Sequence, residues 1–186
     1  MHNLLDCDHD DVVLRHSGAG EPATVRPMTA EEFQTWSEKA VTSYAHDVAR
    51  ATGESFQASR ESAQQQLSQL LPNGVDTEHA WLLMIVDESG APAGTLWVRA
   101  DPDRTAAAYV QDIEVFESHR GRGLGRSAML AAEQVAREAG YTELGLSVFG
   151  FKTVARHLYD SLGYHVVVTR MAKSLLDAPS ASTAAI

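Results

Sequence analysis

The chain of 186 residues is poor in cysteine, in long hydrophobic runs and in basic residues. Cys7 is its single cysteine, so no internal disulfide can form, as is typical of cytoplasmic proteins. The longest strongly apolar run, Trp81–Val86, is far too short to cross a membrane. The 15 Lys and Arg are outnumbered by 25 Asp and Glu, giving a net charge of -10. This balance argues against nonspecific nucleic-acid binding and favours cationic substrates.

The length and composition predict one domain with a sizeable core. We expect an acidic N-terminal extension over residues 1–23, the domain over residues 24–176 and an Ala/Ser-rich tail over residues 177–186. The extension is expected to be loosely ordered or packed on a partner subunit. Its His2, Cys7 and His9 fit no known ligand spacing, so we expect no metal.

Hydrophobic periodicity predicts a mixed α/β (α+β) fold. Three consecutive strands predict an antiparallel meander, and the strand–helix–strand that follows predicts one parallel crossover. We therefore expect a mainly antiparallel sheet with one parallel β-α-β crossover and helices on both faces. The predicted strands are Thr24–Arg26, Ala80–Asp87, Pro92–Ala100, Ala107–Phe116 and Glu143–Phe149, with one or two more in His165–Lys173. The predicted helices are Thr29–Thr52, about Phe56–Leu71, Gly123–Ala139 and Thr153–Leu162. The sequence Thr29-Ala-Glu-Glu32 predicts a capping box at the start of the first helix.

Periodicity also predicts which side chains each helix buries. The sets are Phe33, Trp36, Ala40, Tyr44 and Val48 on the first helix, Phe56, Ala63, Leu67 and Leu70 on the second, and Val154 and Leu158 on the last.

The stretch Ser118–Ser127 reads Ser-His-Arg-Gly-Arg-Gly-Leu-Gly-Arg-Ser and joins a predicted strand to a predicted helix. The first amides of a helix lack intrahelical partners and carry partial positive charge, so they favour anions. The glycines let a phosphate approach the backbone closely, and three arginines add charge. The stretch fits neither the Walker nor the dinucleotide pattern. It therefore predicts a phosphate site of another kind.

The spacing Arg120-x-x-Gly123-x-Gly125 resembles the coenzyme A pyrophosphate loop of the GNAT superfamily of N-acetyltransferases. A second stretch, Val148–Tyr164, is similar to the family signature Asn-x-x-Ala-x-x-Leu-Tyr-x-x-x-Gly-Phe/Tyr. Lys152 stands at the Asn position of that signature, which is a departure from the family. The two signatures together cover about Tyr109–Tyr164.

This resemblance implies that acetyl-CoA is the cosubstrate. It also implies a strand edge that pairs with the pantetheine arm, and a bulge near Val115 whose amide stabilises the oxyanion. Lys152 is expected either to reach a coenzyme phosphate or to point to solvent. The implied cofactor-binding residues are Ile113, Val115, Arg120, Gly121, Arg122, Gly123, Leu124, Gly125, Arg126, Ser127 and Lys152.

Acyl transfer to an amine also needs a base and an acid. Strand alternation sets Asp112, Glu114 and Phe116 on the face opposite Ile113 and Val115. Glu114 is the first choice for the base and Asp112 the second, with a water relay as the alternative. The family resemblance assigns Tyr159 as the general acid.

The acceptor implied by the resemblance is an amine of a small molecule or peptide, with neither nucleic acid nor membrane as a partner. Trp36, Tyr44 and Phe56 belong either to the core or to the acceptor pocket. A homodimer is possible. A non-catalytic acyl-CoA sensor is the alternative function.

Overall fold

The computed structural model describes residues 24–173, which form a five-stranded sheet covered by helices on both faces. The predicted extension and tail, residues 1–23 and 177–186, lie outside the described residues. No helix in the described part is long and apolar enough to span a membrane. The elements are β1 Thr24–Pro27, α1 Ala30–Thr52, α2 Phe56–Leu70, β2 Ala80–Val86, β3 Pro92–Ala100, β4 Ala107–Val115, α3 Leu124–Glu138, β5 Glu143–Leu146 and α4 Thr153–Ser161.

The strands follow one another across the sheet in the order β1-β2-β3-β4-β5. The pairs from β1 to β4 are antiparallel, whereas β4 and β5 are parallel and joined through α3. The predicted meander and crossover are therefore confirmed.

Each face of the sheet has its own core. On one face, α3 buries a stripe of mostly small residues against β1 to β4, and α4 packs at the margin of this cluster. On the other face, α1 covers a cluster that contains Trp36 and Trp97. The buried members contributed by α3 are Leu124, Ala128, Met129, Ala131, Ala132, Val135 and Ala136. The sheet is thus an inner layer, as predicted.

The predicted burial of Tyr44, Phe56 and Val154 is wrong. Tyr44 and Phe56 are 42% and 37% exposed, and Val154 is 82% exposed. On α1 the buried face rotates along the helix, because Val41 and Ala45 pack against α2 rather than against the sheet. On α4 no residue is buried, so the amphipathic pattern of this helix predicts more burial than the structure has.

The prediction of final strands in His165–Lys173 is also wrong. This segment has no regular secondary structure. Its valines favour a strand, but a strand also needs a neighbouring strand to pair with. The segment pairs with none of the described residues.

The start of α1 is fixed by the predicted capping box. The Glu32 amide donates to Thr29 Oγ1 (3.2 Å), and the Thr29 amide donates to Glu32 Oε2 (2.9 Å). Arg26 of β1 also donates both guanidinium nitrogens to the Glu32 carboxylate, at 2.8 and 2.7 Å. Chiefly through this bond, Arg26 lowers the pKa of Glu32 to about 2. The pair ties α1 to the edge of the sheet.

We predict that Glu32→Gln destabilises the protein near neutral pH, by about 1 kcal/mol or less because the ion pair is partly exposed. The pKa of Glu32 is lowered on folding, so its contribution is present above the ordinary value near 4.5 and is lost as the pH falls toward about 2. The difference from wild type should therefore shrink with acidification. Chemical denaturation near pH 7 and near pH 3.5 measures it.

Glu31→Gln is the matched control, because Glu31 lies in the same first turn of α1. It should change stability less than Glu32→Gln does. Equal losses in both variants, or a loss independent of pH, would contradict the role given to Arg26.

Candidate active site

The site is built around the point where β4 and β5 part. The two strands pair only from Ala107 and Glu143 to Val110 and Leu146. β5 ends there, whereas β4 continues to Val115. The last five residues of β4 therefore have no neighbour on that side among the described residues. An open strand edge of this kind can pair with an extended ligand.

A bulge in β4 lies at Gln111, not near Val115 as expected. Trp97 of β3 is opposite Asp112 and Val98 is opposite Val110, so Gln111 has no counterpart. One extra residue in a strand reverses the alternation of faces beyond it. The sequence alone did not indicate the position of this bulge, because only the pairing of β4 with β3 reveals it.

Beyond the bulge the side chains take the predicted faces. Ile113 and Val115 pack against the α3 cluster, and Phe116 packs against the α1 cluster. Asp112 contacts α1 through Trp36. Both carboxylates of β4 therefore face α1, on the side opposite the crossover helix.

The backbone at the end of β4 has a donor aimed at the open edge. The Phe116 amide donates to the Ala93 carbonyl of β3 (2.8 Å). Because amides alternate along a strand, the Val115 amide points away from β3. The Val115 carbonyl, on the same side, accepts from Arg120 Nε (3.0 Å). The Val115 amide can thus bind an extended ligand or an oxyanion.

Gly94 of β3 lets the two strands come close at this point. A Cβ at Gly94 would lie 2.2 Å from the Glu114 carbonyl oxygen, so no larger residue fits without a backbone shift. Gly94 therefore positions Glu114 and Val115. The sequence signal for it was a glycine inside a predicted strand, which often marks a close backbone approach.

The glycine-rich stretch forms the turn from β4 to the start of α3. Gly121 and Gly123 have φ of 77° and 83°, a conformation that side chains rarely adopt. Gly123 is the N-cap of α3, so the first amides of the helix lie just beyond it. This is the predicted geometry for binding a phosphate at a helix N-terminus.

The three arginines of this turn have different partners. Arg120 holds the end of β4 through the Val115 carbonyl. Arg126 donates to the Ser161 hydroxyl of α4 (2.5 Å). Arg122 is exposed and makes no hydrogen bond or ion pair with the described residues. All three keep an unneutralised charge, and Arg122 is the one whose guanidinium donors are all free to bind an incoming anion.

Asp112 lies beside two tryptophans beneath α1. Trp36 Nε1 donates to Asp112 Oδ2 (3.3 Å), and the Trp36 and Trp97 rings meet edge to face at 5.5 Å. Burial raises the pKa of Asp112, and the bond from Trp36 partly opposes this. A small cavity of about 60 Å³ adjoins these side chains. Trp36 thus belongs to the core and supports a carboxylate as well.

Glu114 is in a different environment from Asp112. It is exposed and lines an open cleft of about 450 Å³ together with α1 residues Glu38, Lys39, Thr42 and Ser43. A molecule entering this cleft reaches Glu114 directly. Of the two candidate bases, Glu114 is therefore the accessible one and Asp112 the enclosed one.

Tyr159 lies on the other side of the point where β4 and β5 separate. It packs against the α3 cluster and meets the Tyr164 ring at 6.1 Å. Burial raises its pKa, and the charge of Asp112 raises it further. Because Asp112 faces α1 and Tyr159 belongs to α4, the two groups influence each other across the open part of the sheet.

Lys152 is held by α1. Its ammonium pairs with Asp47 at 2.7 Å. Arg50 stacks over the neighbouring Phe151 at 4.0 Å, so two contacts join the loop before α4 to α1. The expected contact of Lys152 with coenzyme stays a prediction. Asp47 was missed, although Tyr44, Asp47 and Arg50 share one face of α1 by their helical spacing.

An open strand edge, a phosphate-type turn and acidic groups beside it are the features expected of a protein that binds an acyl-coenzyme. Comparison with known proteins supports this class. The sequence model of the Acetyltransferase (GNAT) family matches residues 34–164. The chain belongs to this family and is therefore an acyltransferase. Acetyl-CoA is the cosubstrate of the family.

The chain is 30% identical to the uncharacterised N-acetyltransferase YdgE of Bacillus subtilis over 153 residues, covering 82% of this chain and 98% of YdgE. The crystal structure of YycN, an uncharacterised N-acetyltransferase of the same organism, superposes with a TM-score of 0.78 at 29% identity, covering 83% and 99% of the two chains. A streptothricin acetyltransferase of Streptomyces lavendulae is 42% identical over 55 residues, which is 30% of this chain and 29% of that protein.

We predict that Arg122→Ala weakens acetyl-CoA binding by about 10- to 100-fold, because a charge-assisted hydrogen bond contributes about 1.5–3 kcal/mol. Calorimetry on the folded protein measures the dissociation constant. The unfolding midpoint should not change.

Arg137→Ala is the matched control on α3. Arg137 pairs with Glu133 in the last turn of α3, at the opposite end of that helix from the glycine-rich turn. Its loss should leave coenzyme affinity unchanged. Equal affinities in wild type and Arg122→Ala would remove Arg122 from the site.

Proposed function

We propose that the protein transfers the acetyl group of acetyl-CoA directly to a primary amine of a small molecule or peptide. The observation that carries this proposal is the open edge of β4 over residues 111–115, with Asp112 and Glu114 on one side and Tyr159 on the other. A direct transfer needs a thioester site that a base and an acid can reach from different sides.

The coenzyme binds, in this proposal, along the free edge of β4 and into the glycine-rich turn. The backbone of Ile113 and Val115 pairs with the pantetheine arm as an added strand does. The turn from Arg120 to Ser127 holds the pyrophosphate. The Val115 amide donates a hydrogen bond to the acyl oxygen as negative charge develops there. Lys152 remains a candidate for a further contact with the coenzyme.

Glu114 is the proposed base. It faces the open cleft beneath α1, so an amine can reach it directly or through one water. Asp112 is the second candidate, since its raised pKa suits proton transfer. Its bond to Trp36 and its enclosed position favour a supporting role instead.

Tyr159 is the proposed acid. Because burial raises its pKa above 10, its hydroxyl stays protonated near neutral pH. A coenzyme thiol has an ordinary pKa of about 8.5, so its thiolate can take a hydrogen bond and a proton from a phenol at modest cost.

The acceptor is proposed to be cationic before it loses its proton. Glu38 and Glu114 line the cleft against the single cation Lys39, and the chain has a net charge of -10. The partial match to a streptothricin acetyltransferase is consistent with a polar amine. The cytoplasmic setting remains part of the proposal. A coenzyme sensor without turnover is the competing function, and release of coenzyme thiol with a panel of amines separates the two.

We predict that Tyr159→Phe lowers turnover by about 100-fold, the lower range for a lost acid. The ring and its packing remain, so coenzyme affinity and the unfolding midpoint should hardly change. Single-turnover kinetics with the best amine measure the chemical step. Normal turnover with chemistry rate-limiting would make Tyr159 structural.

We predict that Glu114→Gln lowers turnover by about 100-fold, with the largest loss at low pH, where the amine is most protonated. Thr42→Val is the control, because Thr42 lines the same cleft without a titratable group. A pH–rate profile like that of wild type would exclude Glu114. If Asp112→Asn then abolished turnover in a folded protein, Asp112 would be the base.

A further inference from the structure

The loop of residues 147–152 leads from the end of β5 to the start of α4, and it leaves the sheet where β4 and β5 separate. α4 itself has no buried residue, so packing into the core does not fix this end of the molecule. The bond from Arg126 to Ser161 lies at the end of α4, so it does not hold the start of that helix. The position of the loop therefore depends on the contacts of its own side chains.

Two cationic contacts join this loop to α1. The Asp47 carboxylate of α1 pairs with the Lys152 ammonium at 2.7 Å. The Arg50 guanidinium, also from α1, lies 4.0 Å from the centre of the Phe151 ring. The Lys152 ammonium lies 5.8 Å from the centre of the same ring, so the two contacts are adjacent. Each is of a kind that stabilises weakly when it is partly exposed.

An aromatic contact continues the same line. The rings of Tyr44 on α1 and Phe149 in the loop meet at 6.1 Å, and the Phe149 and Phe151 rings stack at 5.4 Å. The residues that α1 contributes are three apart in sequence, so they share one face of the helix. The side chains of this strap between α1 and the loop are Tyr44, Asp47, Arg50, Phe149, Phe151 and Lys152.

The strap borders the region where the amine is proposed to bind. Residues of α1 line the open cleft that contains Glu114. Tyr44 of the strap lines the small cavity next to Asp112. Burial raises the pKa of Asp112, and the charge of Lys152 is among the effects that lower it. The strap thus connects one wall of the amine side, α1, to the loop at the separation of β4 and β5.

A wall that is already in place favours binding. A ligand that must order a loop loses part of its binding free energy to that ordering, whereas a ligand that meets a fixed loop does not. A pair that only fixes the loop therefore affects the affinity for the amine more than the chemical step.

We propose that the Asp47–Lys152 pair positions the amine side of the site, by holding the loop of residues 147–152 against α1 before the amine arrives. Both residues are positioning residues, which act through the strap and touch neither substrate. The pair gives Lys152 a role on the amine side instead of a contact with the coenzyme. This inference rests on the proposed function, because it concerns the same amine site.

The test uses two variants that break the same pair but change the local charge in opposite directions. Asp47→Asn removes a negative charge, and Lys152→Met removes a positive one. Both should raise the KM for the amine by about three- to fivefold, as expected for a partly exposed ion pair, and change kcat by less than about twofold. The double variant should be no worse than the single ones, because the two residues act as one unit.

The assay is release of coenzyme thiol with spermidine, kanamycin, free lysine or a lysine-containing peptide. The amine that wild type acetylates fastest is used for all variants. Glu31→Gln is the matched control, since it removes the same charge as Asp47→Asn from the first turn of α1, about four turns away. Its KM for the amine should equal that of wild type.

Two other roles of Lys152 give different patterns. If the pair acted on a cationic amine by charge alone, Lys152→Met would lower the KM while Asp47→Asn raised it. If Lys152 bound a coenzyme phosphate, Lys152→Met would weaken acetyl-CoA binding in calorimetry and Asp47→Asn would not. Either pattern would overturn the proposal.

Hydrogen exchange reports on the loop without any substrate. The Lys152 amide donates to the Phe149 carbonyl (2.9 Å), and the Arg156 amide donates to the Lys152 carbonyl (3.1 Å). Exchange of these amides should be faster in Asp47→Asn and Lys152→Met than in wild type, and unchanged in Glu31→Gln. Unchanged exchange in both strap variants would overturn the proposal.

Failure of this inference differs from failure of the proposed function. No thiol release with any of the four amines would contradict the proposed function, and the role of the pair in amine binding with it. Turnover with a wild-type KM in both Asp47→Asn and Lys152→Met would contradict the role of the pair alone.

Discussion

The unequal length of two parallel strands is the constraint on which the site depends. β5 stops at Leu146 after four paired residues, and β4 runs on to Val115. Had β5 continued, the β4 backbone would be satisfied by its neighbour and no ligand could pair with it. The glycine-rich turn also depends on this geometry, because it begins where the unpaired part of β4 ends.

The separation of β4 and β5 also lets groups on opposite faces of the sheet act on each other. Burial raises the pKa of Tyr159, and the negative charge of Asp112 raises it further. Removing the Asp112 charge should therefore lower the pKa of Tyr159. Trp36 helps to position this charge, because its Nε1 donates a hydrogen bond to Asp112 Oδ2.

Local patterns made most of the fold predictable. The capping box at Thr29, the bounds of β3 and the turn before α3 depend on neighbours in sequence, and all were predicted. The bulge at Gln111 and the exposure of Val154 depend on packing between distant segments. His165–Lys173 is a third case, since its composition specifies a strand but not the strand's partner. Among the site residues, the motif specified three arginines but not that Arg120 and Arg126 already have partners.

The charges around β4 show why an acidic chain needs this particular turn. With a net charge of -10, the protein as a whole repels an anionic coenzyme. The three arginines of the turn and the first amides of α3 reverse that sign at the end of the strand. On the α1 side, Glu38 and Glu114 outnumber Lys39 in the lining of the cleft, so the charge there stays negative. The coenzyme and the cationic amine of the proposed function would therefore be drawn to different sides of one strand, beside the edge where that strand has no neighbour.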